Sequence, residues 1–165
     1  MKYVNKIFIG LIFLSIVQVT IASQVGDKAI DFTTIDLDGK QVSLQTDYIG
    51  KKPVLLVFWA TWCPNCFREI PDLIKFNDKF GEDFPILAIN IGMNDTVEKV
   101  KEYREKHNLK YQFIFDEGGV ISKSYQIIGT PTQIIVTADG NIMYRGVSVP
   151  KIGDIEKNWD KLITK

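Results

Sequence analysis

Histidine is almost missing from this chain and cysteine is scarce: one His107, and two cysteines, Cys63 and Cys66, in 165 residues. A zinc site takes about four ligands, and His107 lies in a charged stretch with no second ligand near it in sequence, so no zinc site is read here. Net charge is absent too, with 20 Lys and Arg against 20 Asp and Glu. No basic face argues for nucleic acid, and no acidic run argues for a disordered tail. After residue 23 there is no internal repeat, low-complexity tract or linker. What remains is ordinary composition, 45% hydrophobic, enough for one domain with a real core.

The charges that exist leave a gap at the start. Lys2 and Lys6 precede "IFIGLIFLSIVQVTIASQVG", and the next charge is Asp27. A short basic region, an apolar run and a small-residue site at Thr20-Ile21-Ala22 read as a secretory signal over residues 1–22. The uncharged stretch from Ile7 to Gly26 also approaches the ~20 residues that cross a bilayer, so an uncleaved anchor is the alternative. No cysteine stands nearby to accept a lipid. Either reading exports the domain 23–165 to the periplasm or another extracytoplasmic space, free or tethered by its N-terminal segment. There a cysteine pair can be oxidised.

The rest alternates between strand and helix patterns. "AIDFTTIDLDGKQVSL" alternates around Asp38-Gly39, a two-residue hairpin signal. "PVLLVFWA" (53–60) and "FPILAINI" (84–91) are continuous apolar runs, as strands buried on both faces require. Between them Phe67, Ile70, Leu73, Ile74 and Asn77 follow helical spacing to Gly81, with Pro71 marking a kink. Asp95 or Thr96 caps a second helix to about His107, whose pairs Glu98–Glu102, Lys99–Tyr103 and Glu102–Lys106 read as a solvated face. "YQFIFD", "GVISKSYQI", "TQIIVT" and "NIMYRGV" follow as strand, short helix, strand and strand, and 150–163 closes the chain as one amphipathic helix. The order ββ-βα-βα-βα-ββα implies an α/β fold with one mixed sheet and helices on both faces.

The chemistry concentrates in "FWATWCPNCFREIP" (58–71). A Cys-x-x-Cys that follows a buried strand and opens a helix is a specific combination. At the first helical turn Cys63 meets unpaired backbone N–H groups and the positive end of the helix dipole, which favour thiolate. Pro64 suits that turn because it has no N–H to lose. A bridge closing so small a loop adds little by chain entropy, so a structural staple is a poor use of it. Half of a shared metal site and weak Cu(I) binding by two thiolates stay open on residue types alone.

Together with "VLLVFWATWCPNCFREIP", the later "GTPT" (129–132) and the final hairpin, the chain resembles the thioredoxin fold. More narrowly, it resembles the extracytoplasmic thiol-disulfide oxidoreductases of the TlpA/ResA/DsbE-like group over residues from about 25 to 163, the leading hairpin and central βα insertion being features of that group. The resemblance implies a redox-active disulfide Cys63–Cys66 and no other cofactor. Cys63 then corresponds to the exposed attacking cysteine, Cys66 to the buried resolving one, Pro131 after Thr130 to a cis-proline that holds an extended substrate, and Trp62 to the tryptophan beside the site. Pro64 completes the substrate-binding set. Glu69 corresponds to the buried acid of this group, replacing the strand aspartate of thioredoxin, whose position here is Val57. Cys66 and Glu69 are an i, i+3 pair on one helical face, so the acid can take the Cys66 proton directly or through a water. The implied partners are a protein thiol or disulfide substrate, apocytochrome c among them, and a membrane thiol reductant of the DsbD/CcdA kind.

Two other functions are weighed against this one. A copper-handling module lacks the ligand histidine of Sco-like proteins. A peroxiredoxin-like peroxidase wants P-x-x-x-T-x-x-C, and the position three before Cys63 is Ala60. Direction is read from Pro64-Asn65: without a histidine to stabilise the thiolate, the pair is expected to be a reductant.

Overall fold

The computed structural model describes residues 23–164; the signal or anchor expected at 1–22 lies outside them. The chain runs β1 (Thr33–Ile35), β2 (Gln41–Ser43), α1 (Leu44–Asp47), β3 (Val54–Trp59), α2 (Pro64–Phe80), β4 (Ile86–Asn90) and α3 (Val97–Lys106). It continues with β5 (Gln112–Phe115), a 3-10 turn (Glu117–Gly119), α4 (Val120–Ser124), β6 (Thr132–Val136), β7 (Ile142–Gly146), α5 (Ile152–Lys157) and α6 (Trp159–Ile163). Among the described residues no helix is long and apolar enough to cross a membrane.

Five strands form the central sheet in the order β5-β4-β3-β6-β7. β3 pairs in parallel with β4, and β4 with β5, whereas β6 and β7 run antiparallel. All six residues of β3 are buried, because the strand is central and covered on both faces. Leu55, Val57 and Trp59 pack with α2, α3, α5 and α6 on one side. Val54, Leu56 and Phe58 pack with β2, α1 and α4 on the other.

Several expectations change in detail. The hairpin β1-β2 is a separate ribbon and not part of the main sheet. Its connection is a five-residue loop, because the Asp36 carboxylate accepts the N–H groups of Asp38 and Lys40 at 2.9 and 2.8 Å. An Asx-type arrangement of this kind competes with a tight two-residue turn. The closing helix is two pieces, divided at Asn158, whose backbone leaves the helical region at φ −109° and ψ 15°. The four-residue α1, capped by Ser43, was not expected.

α2 runs through Pro71 as one helix, and it buries Cys66, Ile70, Leu73, Phe76 and Phe80. Phe67, assigned above to the apolar face, is 54% exposed. One residue is about 100° of helical rotation, so burying Cys66 carries its neighbour Phe67 out of the core. Thr96, not Asp95, caps α3: its side chain accepts the Lys99 N–H. Asp95 faces the cysteine loop instead.

Candidate active site

β3 delivers the chain to the cysteines. Beyond Trp59 the backbone turns at Ala60-Thr61-Trp62, and Cys63 occupies the N-cap of α2 with extended backbone, φ −84° and ψ 110°. Its Sγ accepts the Cys66 N–H at 3.1 Å, and Pro64 takes the first helical turn. Cys63 and Cys66 are joined as a disulfide. The sulfur of Cys63 therefore sits where the unpaired N–H groups of a helix start supply positive potential.

The expected contrast of an exposed Cys63 and a buried Cys66 is not found as simple exposure. In the disulfide form they are 3% and 6% exposed. What separates them is the space each one faces. Cys63 lines an open groove with Thr61, Trp62, Pro64, Phe67 and His107. Cys66 lines a small inner cavity of about 20 Å³ with Val57, Trp59, Glu69, Tyr103 and Pro131. One turn of helix thus places one sulfur toward the outside and the other toward the core side of α2.

Glu69 is half-buried on that inner side. Its carboxylate accepts Gln133 Nε2 at 2.5 Å and the Val149 N–H at 3.2 Å. Burial pushes the Glu69 carboxyl above its ordinary value; the two hydrogen bonds oppose that rise and the Asp72 charge adds to it. Gln133 is the register partner of Val57 across β3 and β6. The strand position that carries an acid in thioredoxin is apolar here, and the neighbouring strand supplies an amide that holds an acid brought by the helix.

The other expected residues divide between two places. The Thr130-Pro131 peptide is cis. Pro131 is buried and lines the inner cavity. Thr130 lines a second groove, of about 480 Å³, with Trp62, Met93, Ile128 and Gly129. Trp62 is 47% exposed and stands between the two grooves, its indole N–H donating to the Met93 carbonyl at 2.7 Å. Trp62, Cys63, Pro64 and Thr130 therefore form the outer face of the site, while Cys66, Glu69 and Pro131 form its inner side.

Three contributors escaped the sequence reading. Gln133 is the one amide in the buried strand "TQIIV", a signal that was available. Tyr103 was assigned to a solvated face, yet it packs against Trp59 with ring centroids 4.9 Å apart; with Val100 and His107 it continues an i, i+3, i+7 stripe. Asp95 accepts both the Thr61 N–H and the Thr61 hydroxyl, and also Asn90 Nδ2. Nothing local in sequence distinguishes that arrangement from a helix cap.

The AhpC/TSA family model matches residues 25–145. The chain belongs to the AhpC/TSA family. Among its relatives are thiol-disulfide oxidoreductase ResA of Bacillus thuringiensis, 33% identical over 73% of this chain and 68% of the relative. Another is the thioredoxin-like protein YneN of Bacillus subtilis, 33% identical over 83% of this chain and 79% of the relative. A solution structure of a putative thioredoxin from Neisseria meningitidis superposes with a TM-score of 0.70 at 28% identity, covering 81% of this chain and 88% of that one. The fold is that of thioredoxin, and the activity class is thiol-disulfide oxidoreductase of the ResA type. Ala60 stands three residues before Cys63, and the hydroxyl of the neighbouring Thr61 is engaged by Asp95.

Proposed function

We propose that this protein is an extracytoplasmic reductase of protein disulfides, in which Cys63 attacks and Cys66 resolves. The observation that carries this is the division of the disulfide between two spaces, with Cys63 on the open groove and Cys66 on the cavity that holds Glu69. Cys63 thiolate attacks one sulfur of a substrate cystine, forming a mixed disulfide and releasing the other substrate sulfur as a thiolate. Cys66 loses its proton to Glu69, and its sulfur then attacks Cys63 Sγ. The Cys63–Cys66 disulfide forms, the bond to substrate breaks, and the second substrate sulfur leaves with the electron pair. Burial disfavours a thiolate at Cys66, and a carboxylate whose own proton affinity is raised by burial is matched to accept that proton.

Trp62, Pro64 and Thr130 line the approach to Cys63, and Pro131 backs the disulfide from inside. Apocytochrome c before haem attachment is the substrate implied by the group the chain resembles, and a membrane thiol reductant of the DsbD/CcdA kind would return the electrons. The basic-then-apolar segment at 1–22 supports export, with release or tethering at the membrane. The reducing direction is supported by Pro64-Asn65, which adds no cation to stabilise the Cys63 thiolate.

Trapping with Cys66→Ser tests the reading. The variant holds its substrate as a mixed disulfide on Cys63; recovery of no protein adduct on Cys63 overturns it. Titration against glutathione tests direction, and a potential of about −120 mV, that of a strong oxidant, excludes the reductant.

A further inference from the structure

The two grooves that meet at Trp62 carry positive charge and no carboxylate. The groove beside Cys63, of about 640 Å³, is lined by Arg68 and Lys106 together with Phe67 and His107. The groove beyond Trp62, of about 480 Å³, is lined by Lys123 with Met93, Ile128 and Thr130. No Asp or Glu lines either one, although acids and bases are equal in number over the whole chain.

These cations are available to something outside the protein. Arg68, Lys106 and Lys123 are all exposed. The ion pairs among the described residues are Lys75–Asp72, Lys79–Glu156 and Arg104–Asp38, and none of them uses a cation of this face. Arg68 donates to the Asn65 side-chain oxygen, and Lys123 donates to the Gly118 carbonyl. Both acceptors are neutral, so each bond steadies the side chain and leaves its charge uncompensated. Two carboxylates lie close by, and both are occupied elsewhere. Asp95 takes its donors from Thr61 and Asn90, and Glu69 takes Gln133 and Val149 on the inner side of α2. Between the cations the surface is apolar, with Trp62, Phe67, Met93 and Ile128 exposed. Large exposed side chains gathered around one site mark an interaction surface.

We propose that this face selects protein disulfides set in acidic segments, chains with Asp or Glu on both sides of the cystine and apolar residues next to it. The inference rests on the reading of Cys63 as the attacking thiol of a protein-disulfide reductase, and it names the class of segment that thiol takes. A segment that brings one sulfur to Cys63 and crosses Trp62 lies in both grooves. Its carboxylates then meet Arg68 and Lys106 on one flank and Lys123 on the other. The Arg68 guanidinium presents a fork that matches a carboxylate. Single exposed ion pairs are weak, but several charges of one sign act together on the encounter and on its dependence on salt. The same charges repel a basic segment, so they reject as well as attract. Selectivity therefore belongs to kcat/KM and not to the chemical step. A polypeptide fits better than a membrane surface, because the cations are divided between two concavities on either side of the reactive sulfur, where a planar layer of headgroups has no access.

The test is reduction by the reduced protein of three peptide disulfides that differ only in their flanks, glutamate, glutamine or lysine. At an ionic strength of about 0.01 M the glutamate peptide is expected to react about tenfold faster than the lysine peptide. At about 1 M, where charges are screened beyond about 3 Å, the two rates are expected to converge. Arg68→Glu, Lys106→Glu and Lys123→Glu combined are expected to invert the order. Bis(2-hydroxyethyl) disulfide, small and neutral, is expected to be reduced by this variant as by wild type, which also shows that the variant folds. Equal rates for all three peptides overturn the acidic selectivity and leave the reductase reading standing. If no peptide is reduced, both fall. If the combined variant slows the neutral disulfide as much as the glutamate peptide, the cations serve Cys63 itself and the proposal is overturned. Equal peptide rates together with binding to phosphatidylglycerol vesicles that the combined variant loses assign the face to a lipid surface, and overturn it as well.

Discussion

Asp95 accepts the Thr61 backbone N–H at 2.9 Å, fastening the loop ahead of α3 to the loop that presents Cys63. The same carboxylate takes the Thr61 hydroxyl and, at 2.7 Å, the side-chain amide of the fully buried Asn90 at the end of β4. Trp62 adds a further tie from its indole to Met93. The cysteine loop is thereby held to the end of the parallel strand pair, although the two segments lie some thirty residues apart in sequence. Asp95→Ala leaves three donors short of an acceptor. It is expected to cost about 1–3 kcal/mol of stability in urea denaturation, and to slow attack by Cys63 because small displacements of a reacting group are expensive. Asp95→Asn keeps an oxygen for the Thr61 N–H and is expected to restore part of both.

The Glu69 carboxyl makes stability depend on pH in a defined direction. Its proton affinity in the folded protein is raised above the ordinary 4.5, so the folded state binds more protons than the unfolded chain just above that value. Stability then falls as pH rises through the window from 4.5 to the folded pKa, and levels off above it. Glu69→Gln removes this contribution. Thermal unfolding of both proteins from pH 4 to pH 8 is expected to show wild type losing ground to the variant as pH increases; a constant difference counts against a raised carboxyl.

Trp62 stands partly exposed between the two grooves, where an aromatic anchor contributes most to binding an extended partner. Trp62→Ala is expected to raise KM for a protein disulfide about tenfold. Reduction of a small aromatic disulfide, which does not span the grooves, is expected to change far less. Equal effects on both substrates would place the role of Trp62 in the chemistry and not in binding.

Far from the disulfide, Phe76 is fully buried and packs against Phe80 and Phe84 with ring centroids 5.1 and 5.0 Å away. Phe76→Ala is expected to cost about 3–5 kcal/mol, seen as a lower urea midpoint. The redox potential of the cysteine pair, set at the other end of α2, is expected to stay as in wild type.

The strands were legible because burial on both faces leaves an unbroken apolar run, as in "VLLVFW". The start of α2 was legible because Pro64 and the cysteine pair follow directly on such a strand. The buried face of α2 was misjudged by one residue at Phe67: periodicity gives the width of an apolar stripe, while the packing of Cys66 decides its phase. Tyr103 went to the wrong face for a related reason, since charged neighbours on α3 concealed a short inner stripe of Val100 and Tyr103.

By itself the sequence determined the α/β order and the pair Cys63 and Cys66 at a helix start. These follow from local spacing and residue chemistry, which need no knowledge of distant segments, whereas Glu69 as the replacement for a strand acid was implied only by the family resemblance. Only the tertiary structure decided that Cys63 faces a groove while Cys66 shares a cavity with Trp59 and Tyr103, that Gln133 holds Glu69, and that Asp95 serves Thr61 and not a helix cap. Each of these depends on side chains separated by tens of residues. Sheet register and helix packing bring them together, and no local pattern in the chain encodes the distance between them.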